Sequence, residues 1–195
     1  MPPRRGLYVV RSRIISEAIL PPATFHQWYE EIHIPDVLNM TIINSSFRYA
    51  ISDDDKNKSP IPYLAIYPLA DLAWFYQPGC PFFKVPLHSD LLPNESKFIF
   101  DVAAFDMSFY ERLVSVGEDT GGPAKALVLV FYDEDVAEGK EAEFLLRKSL
   151  NNESLKPLRS TLFRLDTAPN PNREDSNAPG VENKPKLLAI VSAIQ

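Results

Sequence analysis

The sequence predicts an α+β fold built from two β-α-β-β halves in one chain, and three observations carry that expectation. Residues 7–67 hold, in order, a strand, an amphipathic helix and two further strands. The same order returns over residues 126–191, with the first and third strands starting at 7 and 62 in one half and at 126 and 185 in the other. Short segments also match: Pro62-Tyr-Leu-Ala-Ile-Tyr67 with Pro185-Lys-Leu-Leu-Ala-Ile-Val191, and Ser46-Phe-Arg-Tyr49 with Thr161-Leu-Phe-Arg164. Agreement of order and spacing is the mark of an internal duplication. It divides the chain into halves at residues 1–97 and 98–195, together one compact domain.

Each element has a local cause. Leu7 to Ile14 is rich in β-branched and aromatic residues, a strand signal. Leu20-Pro-Pro-Ala-Thr24 opens a helix with proline at a tolerated early position. Along that helix Phe25, Trp28, Tyr29 and Ile32 recur at three- and four-residue spacing and make one apolar face. Pro35 disfavours the α region at Ile34, so the helix is expected to stop or kink just after His33. Strand signals return at Ser46 to Ile51 and, after a polar loop, at Tyr63 to Tyr67. In the second half Lys125 to Tyr132 reads as an apolar strand buried on both faces. Glu138 to Leu150 reads as a helix with Phe144, Leu145 and Leu150 inward, and Ser160 to Leu165 and Pro185 to Val191 as the closing strands. Between the halves, Phe98 to Tyr110 alternates well enough for a long strand able to cross from one sheet to the other.

Composition narrows the function. The 195 residues carry 20 Lys and Arg against 26 Asp and Glu, a net charge of −6, which argues against a duplex nucleic-acid partner. No apolar run approaches the roughly 18 residues needed to span a bilayer. A single Cys80 excludes an internal disulfide framework, so a reducing, cytoplasmic setting is expected. Eighteen prolines against seven glycines is the compositional oddity. Five of them, Pro68, Pro78, Pro81, Pro86 and Pro93, interleave with Trp74, Phe75, Tyr76, Phe82 and Phe83. A solvated linker does not carry so many rings, so residues 68–97 are expected to cover something apolar. Residues 168–185, rich in Asn, Pro, Glu and Asp, read as a surface loop.

Few groups offer chemistry. His26, Glu30 and His33 share a helix stripe, but His26 and His33 lie two turns apart, so the stripe reads as a polar face and no metal site is expected. His33, beside Tyr29 at the expected helix end, could donate a proton or hydrogen bond to a substrate oxygen. On the other reading it only satisfies free carbonyls at that end. Cys80 stands between Gly79 and Pro81 with no base nearby and reads as a structural thiol. No Gly-x-Ser-x-Gly elbow, phosphate loop or dinucleotide fingerprint is present, and no cofactor is expected. On the strands Tyr63, Ala65 and Tyr67 share one face while Leu64 and Ile66 share the other. The aliphatic face is expected under the helices, leaving Tyr63 and Tyr67, with Tyr8 and Ser12, to face an enclosed space. Those tyrosines could line a cavity for a hydrophobic ligand or simply fill the core. Arg48 could face that space or solvent.

Trp28-Tyr29-x-x-x-His33-Ile34-Pro35, followed by Arg48-Tyr49, together with the first strand and Pro62 to Tyr67, resembles the dimeric α/β-barrel superfamily. The nearest likeness is to EthD-like proteins of fungi, in which both halves lie in one chain. That resemblance covers most of residues 6–70 and implies two ferredoxin-like halves forming a pseudo-dimeric α/β barrel, with helices outside and a cavity between the sheets. It implies a monomer or a homodimer, and relatives that include polyketide cyclases, decarboxylases, cofactor-free oxygenases and lactone isomerases. Many of these carry an acidic residue just before the motif histidine, where this chain has Ile32. Losing that partner shifts the expectation from strong-base chemistry toward reactions driven by shape and one hydrogen-bond donor.

The expected function is therefore a cofactor-independent cyclase of fungal secondary metabolism that folds a hydrophobic polyketide- or terpenoid-type substrate for intramolecular cyclisation, Diels–Alder-type reactions included. His33 and Tyr29 are the candidate catalytic residues. Tyr8, Ser12, Trp28, Arg48, Tyr63, Tyr67, Trp74 and Phe83 are the candidate pocket residues. Two alternatives stand beside it: a decarboxylase or dehydratase with His33 as acid or base, and a non-catalytic carrier of an apolar metabolite.

Overall fold

A computed structural model describes residues 2–51, 60–117, 124–133, 140–150, 157–168 and 184–193. Strand β1 (Gly6–Ile14) leads into a continuous helical run made of α1 (Pro22–Gln27), a π-helical turn (Trp28–His33) and α2 (Ile34–Met40). Strands β2 (Phe47–Ala50) and β3 (Tyr63–Leu69) follow. Three 3₁₀ turns, Leu72–Tyr76, Pro81–Lys84 and Ile99–Asp101, then lead to the long β4 (Ala103–Gly117). The chain ends with β5 (Ala126–Tyr132), α3 (Lys140–Leu150), β6 (Pro157–Leu165) and β7 (Leu187–Ala193).

All seven strands join one antiparallel sheet in the order β2-β3-β1-β4-β6-β7-β5. This corrects the expected fold class. The protein is mostly β, a curled half-barrel with one long helical run, and two ferredoxin-like halves do not face each other as an α/β barrel with helices outside. The cause is β4. At 15 residues it is long enough to pair along its first part with β1 and along its last part with β6, with a bulge between Arg112 and Val114. The strands on either side are therefore zipped into one sheet, and no cavity is left between two.

The curl is visible in the core. Leu7 and Val9 of β1 and Leu64 and Ile66 of β3 share one cluster with Phe163 of β6, Leu188 of β7 and Leu127 and Leu129 of β5. Strands near opposite ends of a sheet can bury one another's side chains only if the sheet bends round. The aliphatic face thus fills the inside of the curl, and the tyrosine face of β1 and β3 lies beneath the helical run, the reverse of the expectation. Phe25, Trp28 and Tyr29 bring rings to that layer, and rings pack favourably against rings.

Two smaller expectations also change. Strand β5 is an edge strand with half-exposed side chains, not a strand buried on both faces. Helix α3 turns Ala142 and Leu146 to the sheet, while Phe144 is 69% exposed; the side chain of Leu150 lies outside the described residues. The segment expected as strand 98–110 begins instead with the turn Ile99–Asp101, and β4 runs on to Gly117. The polar loop 52–59, the Gly121-Gly122 pair and most of 168–185 also lie outside the described residues.

Candidate functional site

Proline shapes the helical run at two points. Pro21 caps it in an extended conformation and Pro22 opens α1. Further on, Pro35 has no N–H to bond four residues back. The ladder widens there by one residue: the Ile34 N–H bonds the Tyr29 carbonyl, five residues back, and the helix runs on to Met40. Of the stop or kink expected after His33, the stop is corrected: the helix is disturbed there but runs on, and His33 is not at a free helix end. In an α-helix positions 28 and 33 would point ~140° apart; the wider π turn brings them into line. The His33 imidazole stacks on the Trp28 indole with centroids 4.9 Å apart and planes at 12°, and Tyr29 meets it edge-on at 5.3 Å.

Below this ring cluster the sheet supplies a floor. Tyr8 and Val10 of β1 stand opposite Tyr67 of β3 and Met107 of β4 respectively. The proline-rich segment supplies the cover. Pro81 opens the turn that carries Phe82 and Phe83, and Phe82 sits edge-on to Tyr8 at 5.0 Å. A bridge between His88 and Phe98, and a 3.1 Å bond from the Ile99 N–H to the Leu87 carbonyl, hold Leu87 beside Ile99. Helix, floor and cover together line a partly open cavity of about 570 Å³, within the usual size range of small-molecule sites.

The cavity's polar groups are few and uncharged. Burial holds the His33 imidazole down at about 4, outweighing the upward pull of a hydrogen bond to the Pro86 carbonyl, so the ring is neutral at pH 7. His33 Nδ1 is itself buried and has no hydrogen-bond partner. Burial raises Tyr29 well above an ordinary phenol, helped by the neighbouring Tyr67, and burial raises Tyr67 as well. Both phenols are therefore protonated at neutral pH. They lie close enough to interact, yet Tyr67 Oη closes no hydrogen bond of good geometry. No Asp, Glu, Lys or Arg lines the cavity among the described residues.

No protein-family model matches the chain, and no curated protein matches it. Its chemistry is therefore read from these atoms. Of the residues singled out in the sequence, His33, Tyr29, Tyr8, Trp28, Tyr67 and Phe83 line the cavity. The others lie elsewhere. Ser12 is buried one pair further along β1, opposite Tyr63 and Phe105. Tyr63 packs on Phe25 and His26. Trp74 packs on Phe75 in the cover. Arg48 lies over the Tyr29 ring at 4.5 Å and bonds Glu30 at 2.8 Å, so it backs the site from outside.

Phe105 and Met107 of β4, with Ile99 and Phe100 before them, complete the wall and were not expected there. Their signal was the alternation of Phe105, Met107 and Phe109, which could not show which face the helices cover. His26 and Glu30, 3.7 Å apart, both reach Arg48, and no cluster of metal-ligating side chains occurs among the described residues. No helix among them is long and apolar enough to cross a membrane.

Proposed function

We propose that this protein is a cofactor-independent cyclase that folds a flexible, hydrophobic polyketide- or terpenoid-type substrate for intramolecular ring closure. The observation that carries the reading is the ring-lined cavity, which no Asp, Glu, Lys or Arg lines among the described residues and whose His33 is neutral at pH 7. Confinement of a flexible chain in a reactive conformer can supply much of the barrier reduction for an intramolecular reaction. A tyrosine hydroxyl donating to a substrate carbonyl draws electron density from the conjugated system and lowers the barrier further. A decarboxylase or dehydratase would ask His33 to carry or take a proton near neutral pH, which an imidazole held at about 4 does poorly.

Deletion of the gene in its host, followed by metabolite mass spectrometry, separates the readings. A cyclase leaves an uncyclised precursor of the same mass as the lost product. A precursor heavier by carbon dioxide or water would assign a lyase instead, and an unchanged metabolite profile would leave only a binding role.

A further inference from the structure

The outermost strands, β2 and β5, leave the curled sheet with an open seam. Six antiparallel pairings separate them in the strand order, so the two edges run in the same direction. The curl brings them near each other: Tyr49 of β2 packs in one cluster with Leu127 and Leu129 of β5. Its hydroxyl donates at 3.2 Å to the carbonyl of Ala124, two residues before β5 begins. Yet no ladder joins β2 to β5, and among the described residues no backbone group pairs with the outer edge of either strand. A tyrosine side chain and one hydrogen bond together span about two inter-strand spacings, roughly 10 Å. The seam is therefore about one strand wide at that end. A strand running the opposite way would be antiparallel to both of its neighbours.

Nothing in β5 guards its edge. Ala126-Leu-Val-Leu-Val-Phe-Tyr132 carries no charge, proline or bulge, the devices that ordinarily keep a sheet edge from pairing. Its flanks are charged instead, with exposed Lys125 before it and exposed Asp133 after it. A second copy of the chain does not fit the gap, because each of its edge strands brings a neighbour along. We propose that the seam binds an extended peptide segment of a partner protein as an eighth strand, antiparallel to β2 and β5. Direction and charge fix the chemistry of that segment. It carries a basic residue at its N-terminal end beside Asp133 and an acidic one at its C-terminal end beside Lys125. Between them, every second side chain is apolar and turns inward with Leu127 and Leu129. Main-chain bonds to the edges supply affinity and the alternating side chains supply specificity, as where strands add to other sheets. No residue of β2 or β5 lines the ring-lined cavity, so this role is independent of the cyclase reading.

The test is a fluorescence-anisotropy titration of the full chain, at low ionic strength, with dye-labelled Lys-Thr-Val-Thr-Val-Thr-Val-Thr-Asp, whose valines are the inward residues. Saturable binding is expected below about 100 μM. Two further peptides carry N-methyl groups, one on its valines and the other on its threonines. Alternate N–H groups of a strand point to opposite sides, so each of these peptides loses one of the two ladders. Both should bind at least about tenfold more weakly than the parent. Exchanging the end residues, with Asp first and Lys last, should weaken binding about threefold to tenfold. The double variant Lys125→Asp/Asp133→Lys should prefer that exchanged peptide. Absence of saturable binding overturns the proposal, as does indifference to N-methylation or to the end charges. Weakening by only one of the two N-methylated peptides would place the strand on a single edge and overturn the seam. The peptide comparisons use the unaltered protein, so they decide the matter whether or not the double variant folds.

Discussion

The imidazole of His33 lies flat on the indole of Trp28, 4.9 Å away and 12° from parallel, although the two residues are five positions apart on one helical run. That alignment exists because the ladder has slipped from four residues to five around Pro35. A backbone feature thus decides which side chains face the cavity, as is common where π turns occur.

Restoring the missing donor should undo it. Pro35→Ala supplies an N–H at position 35 and lets the segment close as an α-helix. Folding stability should hold or rise by up to about 2 kcal/mol. The near-ultraviolet circular dichroism of Trp28 should weaken, and apolar-ligand affinity should fall by about tenfold. An unchanged spectrum would show that the π turn does not depend on Pro35.

The buried His33 makes stability depend on pH. Its pKa falls from 6.5 to about 4 on folding. Between those values the unfolded chain binds more protons than the folded one, so stability is full above about 6.5 and is lost as pH drops toward 4. The loss amounts to roughly 2–3 kcal/mol. Urea midpoints measured from pH 7.5 to 4 should fall further for the wild type than for His33→Phe. Parallel curves would mean that His33 is not buried as a neutral ring.

Tyr29 and Tyr67 should be coupled. Both hydroxyls are buried and each perturbs the other. Single changes to Phe should cost about 1 kcal/mol each, and the double-mutant cycle should return a coupling of about 0.5–1 kcal/mol. Strict additivity in urea unfolding would separate the two groups.

Gly6 is a packing point between sheet and cover. A Cβ there would overlap the Tyr110 carbonyl oxygen and sit 2.9 Å from Leu72 Cδ1. Gly6→Ala should lower stability by about 2–3 kcal/mol or more through overpacking. A thermal midpoint within a degree of the wild type would contradict the close approach of β1 to β4.

How much of this was legible in the sequence follows from which interactions are local. Strand β1, the Phe25–Trp28–Tyr29 face and strand β3 were visible because period and composition report a single element. The gathering of Tyr29 and His33 at one site was visible for the same reason. The strand order was not, since it depends on β4 pairing with both β1 and β6, contacts more than 40 residues apart along the chain. The choice of face was hidden likewise. The alternation of Tyr63, Ala65 and Tyr67 tells the two faces apart without saying that the aliphatic one turns into the curl. The register slip at Pro35 was half legible: proline announced a disturbance, while only the packing of Trp28 and His33 shows that the helix widens instead of ending.

The account turns on His33 being a buried, neutral ring at the cavity wall. The carbon-bound proton resonances of the histidine rings, followed by NMR as the pH is lowered, test it most directly. His33 should stay neutral until the pH approaches about 4, well below an ordinary histidine. A His33 ring that titrates near 6.5 would contradict it.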